Sequence, residues 1–191
     1  MGNDLGRFLD IPESTYKKAI YEINNGKKKT HWMWYVFPQI GGLGNSELAR
    51  KYAIKNREEA EEYVADPELR DRLWFMTRLV LNWPGNDISE MFEYPDNLKL
   101  RSCMTLFYMV TEDELFKKVL DKYFQGKECS YTREHLDDTT VIVEYFSESE
   151  RIETYYECKN CGCDDILETF FFCPNCGKKI TAFKKYDENN K

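Results

Sequence analysis

The cysteines carry the plainest chemistry in the sequence. Cys158-Lys159-Asn160-Cys161 and Cys173-Pro174-Asn175-Cys176 are two C-x-x-C units separated by 11 residues. Each unit can wrap a tight knuckle, so two sulfurs from each meet at one tetrahedral ion. Gly162 and Gly177 follow the second cysteine of each unit, where left-handed backbone lets amides approach the thiolates. Zn²⁺ suits four thiolates and asks no redox chemistry of the protein. The expected cofactor is a structural zinc held by Cys158, Cys161, Cys173 and Cys176 in a closed site with no position for substrate. Lys159, Lys178 and Lys179 stand beside the formal −2 of such a centre. A rubredoxin-like iron site uses similar knuckles, and Cys163 could replace Cys161; both alternatives stay open. Paired disulfides would need an oxidising compartment, for which there is no signal. Cys103 and Cys129 stand apart and read as ordinary thiols, Cys103 buried in its helix.

A second group of candidates lies near the start of the chain. His31-Trp32-Met33-Trp34-Tyr35-Val36-Phe37-Pro38-Gln39 leads into Ile40-Gly41-Gly42-Leu43-Gly44-Asn45-Ser46. Rings can stack on a planar base, and a glycine loop opening a helix at Ser46 can offer amides to an anion. In this reading Trp32 and Trp34 stack, Gln39 and Ser46 hydrogen-bond, and Lys99 neutralises charge. His31 is then a donor, or the general acid/base if there is turnover. For Trp32, Met33, Val36 and Phe37 the alternative is plain core packing. The loop is not a P-loop, because Gly41-Gly42-Leu43-Gly44 lacks the Gly-Lys-Ser/Thr ending.

The elements that must position these residues are mostly helices. Tyr16, Ala19, Ile20 and Ile23 repeat at helical spacing in Pro12–Asn25, and Gly26 supplies a stop. Ser46 caps a helix through Ile54, and Asn56 caps the next. Asp66-Pro67 opens a helix carrying Leu69, Leu73, Met76 and Val80. Asp87 with Glu90, and Thr111 with Glu114, have capping spacing. Asn97–Val110 buries Leu100, Cys103, Met104 and Phe107; the helix from Glu112 buries Leu115, Phe116, Val119, Tyr123 and Phe124. This predicts six or seven helices with short connections. After Leu136 the texture changes: Thr139–Val143, Arg151–Cys158 and Glu168–Cys173 have strand chemistry. The expected fold is mainly α, with a multi-helical domain over 1–136 and a small β-rich zinc ribbon over 137–191. That tail lacks enough core to fold alone, so metal binding would stabilise it.

Composition sets the outer bounds. The 191 residues are 42% apolar and 32% charged, with 6 prolines and 10 glycines, which excludes a disordered or low-complexity chain. No apolar run reaches the roughly 20 residues of a membrane span. The first residues lack a secretory pattern, so the expected location is the cytoplasm. The net charge is −7, and Asp137 onward, with 12 acidic and 7 basic residues, holds −5 of it. That argues against nucleic acid as a partner. Lys27-Lys28-Lys29 reads as a solvated helix end, with a phosphate-binding role as the alternative.

HWMWYVFPQIGGLGNS, then Tyr52, then Asp96-x-x-Lys99-x-x-Ser102-Cys103-Met104-Thr105-Leu106-Phe107, resembles the domain-of-unknown-function family 1810. The resemblance covers about residues 4–136. Members are bacterial and all-helical, and are sometimes mislabelled calpastatin-like. The resemblance implies the helical fold and no settled activity. Cys103 stands where a serine is usual, and the ribbon lies outside the common pattern. Three functions follow as expectations. The first is binding of a small anionic ligand, a nucleotide or ADP-ribose derivative. The second is a protein-interaction module whose ribbon presents an acidic surface to a partner. The third is a hydrolase acting on a nucleotide-linked sugar.

Overall fold

The computed structural model describes residues 4–44 and 46–136 with side chains, and beyond them the backbone of three strands. The chain divides into two units, Met1–Asp137 and Asp138–Lys191.

The first unit is built from helices: α1 Gly6–Leu9, α2 Glu13–Asn24, α3 Met33–Val36, α4 Glu47–Lys51 and α5 Arg57–Ala65. Then come α6 Pro67–Asn82, α7 Ile88–Met91, α8 Asp96–Thr111, α9 Glu114–Phe124 and α10 Ser130–His135. The starts follow local side-chain chemistry. Asp66 accepts from the N–H groups of Glu68 and Leu69, with Pro67 at the first position of α6. Asn56 accepts from Glu59 at 2.9 Å to open α5. At α9 the cap is Asp113, accepting from Leu115 at 2.8 Å, rather than the expected Thr111. Glu112 is left-handed there (φ 55°) and closes α8, so the chain turns before α9 begins. The helix expected through Ile54 stops at Lys51, because Ile54 instead bridges Ile40 in extended geometry.

One core unites these helices. Phe8, Trp32, Phe37, Tyr63, Phe92, Phe107 and Phe116 are fully buried in it with Leu69, Leu73, Met76 and Val80. Burying each large apolar side chain contributes about 1.5–3 kcal/mol. Cys103 lies in this core, and burial pushes its thiol well above the usual range; Cys129 is also free and buried. No helix among the described residues is long and apolar enough to cross a membrane.

The second unit is described only through its strands, β1 Val141–Glu148, β2 Arg151–Cys158 and β3 Phe183–Lys185, ordered β2-β1-β3. β1 and β2 run antiparallel with Val141 opposite Cys158 and Glu148 opposite Arg151, and β3 is parallel to β1. The strand expected at Glu168–Cys173 lies outside the described residues. So do Cys161, Cys163, Cys173 and Cys176, and the side chain of Cys158.

Candidate functional site

Trp34, the second residue of α3, is half-buried, and the Lys99 ammonium sits 4.6 Å from its ring centroid. A cation over an indole contributes about 1 kcal/mol. Lys99 reaches the ring from the first turn of α8 and also donates to Asp96 Oδ1 at 2.7 Å. The other oxygen of Asp96 pairs with Lys28 at 2.5 Å. One carboxylate therefore serves two lysines, and the cluster keeps one positive charge. Burial opposes ionisation of Asp96, but the hydrogen bonds and charges of Lys28 and Lys99 outweigh it and hold the carboxyl below its ordinary value. Lys28 is correspondingly not a solvated helix end: its side chain is 10% exposed, and its ammonium is 5.3 Å from the Trp32 ring centroid.

The glycine turn passes the same ring. A Cβ on Gly44 would lie 2.9 Å from Trp34 Cη2 and 3.0 Å from Ala49 Cβ, so only glycine permits this approach. Gly42 has φ +92°, and a Cβ there would lie 1.9 Å from the Tyr131 phenol oxygen. The start of the turn is pinned to Ile54: Ile54 N donates to Gln39 O at 2.9 Å, and Gly41 N donates to Ile54 O at 2.8 Å. Ser46 caps α4 after the turn, accepting from Ala49 N at 3.1 Å. Gln39 is fully buried; its Nε2 donates to Phe37 O, and its Oε1 has no partner among the described residues. An unmet buried acceptor costs about 1–3 kcal/mol and suits a donor from a ligand or water.

Tyr131 brings α10 to the turn. Its ring stacks on that of His135, with centroids 3.8 Å apart and an interplanar angle of 11°. His135 Nδ1 lies 2.8 Å from the Tyr131 carbonyl. A carbonyl only accepts, so Nδ1 bears the proton and the neutral ring keeps its lone pair on Nε2. The buried hydroxyls of Ser102 and Thr132, 2.8 Å apart, tie α8 to α10. Ser102 is thereby a packing residue, closed to substrate.

The residues singled out in the sequence divide. Trp34, Lys99 and the glycine turn come together. Trp32 corrects the stacking expectation: it is 1% exposed, its Nε1 donates to Glu22 Oε2 at 2.8 Å, and its ring packs on Phe37 and Phe92. No open ring face is left for a base to stack on, although its edge lines a small cavity with His31. His31 is exposed and lines a separate cavity of about 190 Å³ with Trp32, Lys18 and Tyr35; Trp34, Gln39, Ser46 and Lys99 are not among its walls. Tyr131 and His135 were not singled out, although their i, i+4 spacing would place them on one helical face. Among the described residues no cluster of three His, Cys, Asp or Glu is placed to hold a metal ion.

Residues 2–136 match a family described as a protein of unknown function, DUF1810. Among solved structures, the conserved hypothetical protein Rv1873 from Mycobacterium tuberculosis is 42% identical, with a TM-score of 0.67 over 70% of this chain and 96% of that one. No curated protein matches the chain.

Proposed function

The chain belongs to the DUF1810 family, and on that footing we propose that its helical unit binds a small anionic ligand of the nucleotide or ADP-ribose type at the glycine turn. The observation that carries this reading is the sharing of Asp96 by Lys28 and Lys99, which leaves one uncompensated positive charge beside Trp34. A phosphate would meet Lys99. A base would stack on the face of Trp34 that Lys99 does not cover. Ser46 at the end of the turn would supply a polar contact, whereas Gln39, fully buried, would hold the turn's start in place. If the ligand is turned over, as in hydrolysis of a nucleotide-linked sugar, His135 Nε2, beside the Tyr131 ring that meets the turn, would be the candidate proton acceptor, since His31 lines a separate cavity. Calorimetric titration with ADP-ribose tests the reading. Lys99→Met and Trp34→Leu should each weaken binding about tenfold or more, roughly 1.4 kcal/mol. Equal binding by both variants would refute it.

The tail completes the proposal. Cys158, Cys161, Cys173 and Cys176 would hold a structural zinc, supported by their paired spacing, and reduced thiols fit the cytoplasm. A second reading, an interaction module, rests on Phe75, 47% exposed beside an apolar cavity of about 280 Å³ that Tyr16, Ile20 and Met76 also line. Its partner would meet α2 and α6, far along the chain from the ribbon.

A further inference from the structure

We propose that the cavity between α2 and the Thr30–Tyr35 segment is a second binding site, for a small oxyanion of the phosphate class. Its walls carry Ser14, Thr15 and Lys18 from α2, Thr30 and His31 from the loop before α3, and the rings of Trp32 and Tyr35. Two of these side chains can be cationic and no carboxylate lines the space. Lys17 next door pairs with Glu13 at 3.1 Å, whereas Lys18 has no ion pair among the described residues. Lys18 therefore brings to the cavity wall a charge that no carboxylate among the described residues pairs.

Glu22, the carboxylate bonded to the lining residues Thr30 and Trp32, is already spent. It accepts from Lys29 N at 2.8 Å, Thr30 N at 3.1 Å, Thr30 Oγ1 at 2.8 Å and Trp32 Nε1 at 2.8 Å. Those bonds fix the loop that carries His31 to the cavity wall. The hydroxyls of Ser14 and Thr15 are free of hydrogen bonds among the described residues, so the space is walled by donors. Donors beside a cation favour an anion over a neutral ligand, because charge-assisted hydrogen bonds are about twice as strong as neutral ones. At about 190 Å³ the cavity is smaller than the roughly 300 Å³ that larger organic ligands need. It has room for an oxyanion group but not for a whole nucleotide.

This site is independent of the glycine turn, since neither Trp34 nor Lys99 lines it. The test is an NMR titration of the full chain with inorganic phosphate and, in a second arm, ribose 5-phosphate, at constant ionic strength set with sodium chloride. Saturable shifts at Ser14, Thr15, Lys18 and His31 are expected in at least one arm. The tighter arm distinguishes free phosphate from a phosphate monoester. Lys18→Gln should weaken binding tenfold or more, His31→Leu should weaken it measurably, and Lys99→Met should leave it unchanged. Linear, unsaturated shifts would overturn the proposal. So would unchanged affinity in Lys18→Gln, or a loss confined to Lys99→Met.

Discussion

Gly42→Ala tests how the turn is held against α10. The backbone there has φ +92°, which costs an L-residue with a Cβ about 1–2 kcal/mol. The new methyl would also lie 1.9 Å from Tyr131 Oη and 3.0 Å from Cζ. To reach ordinary contact, the phenol must swing away from a ring stacked at 3.8 Å on His135. Such overpacking costs about 1–3 kcal/mol. Loss of unfolded-chain freedom returns about 0.4–1 kcal/mol, so a net loss of roughly 2–3 kcal/mol is expected. All four tryptophans lie before Asp137, so their fluorescence in urea follows the helical unit. With a denaturant slope of about 2 kcal/mol per molar, the midpoint should fall by roughly 1–1.5 M. Gly41→Ala is the control, because its Cβ would meet Ala53 Cβ and Ile54 O at an ordinary 3.7 Å. A loss below about 0.5 kcal/mol at Gly42, or an equal loss at Gly41, would refute the reasoning.

Three further outcomes can be measured by the same unfolding assay. Glu59→Ala should cost about 3–5 kcal/mol, because it strands Arg7, whose Nη2 lies 2.7 Å from the fully buried Glu59 Oε1. Tyr63→Phe should be neutral or stabilise by about 1 kcal/mol, since the buried Tyr63 hydroxyl has no partner among the described residues; a loss beyond 1 kcal/mol would contradict this. Burial raises the carboxyl of Glu22, yet the donors of Lys29, Thr30 and Trp32 outweigh it and hold it below its ordinary value. A depressed folded value gives stability that is full above the unfolded pKa of about 4.3 and lost as pH falls through the folded one. Wild type should therefore lose its advantage over Glu22→Gln across that acid window, and a constant difference would count against the assignment.

Local chemistry made part of this fold legible. Asp66-Pro67 and Asn56 fix helix starts through bonds within three residues, so the sequence displays them directly. The 4-residue α3 and 6-residue α10 have no side-chain cap, and contacts distant in sequence hold their surroundings. Trp32 is fastened ten residues back to Glu22, and Thr132 thirty residues back to Ser102. Aromatic clustering alone does not separate a stacking surface from a core ring, which is why Trp32 and Trp34 look alike in sequence. Both rings carry a lysine; what separates them is burial, because Trp32 is 1% exposed with its N–H spent on Glu22, whereas Trp34 is half-buried. The sequence does not display the role of His135, because its tautomer depends on helix geometry, a carbonyl one turn back.

The central claim is that Trp34 and Lys99 receive an anionic ligand at the glycine turn. The most direct measurement follows the indole N–H resonances of Trp32, Trp34, Trp74 and Trp83 in ¹⁵N-labelled protein as ADP-ribose is added. The account predicts a saturable shift of the Trp34 resonance, abolished by Lys99→Met. A Trp34 resonance that stays in place through saturating ligand would contradict it.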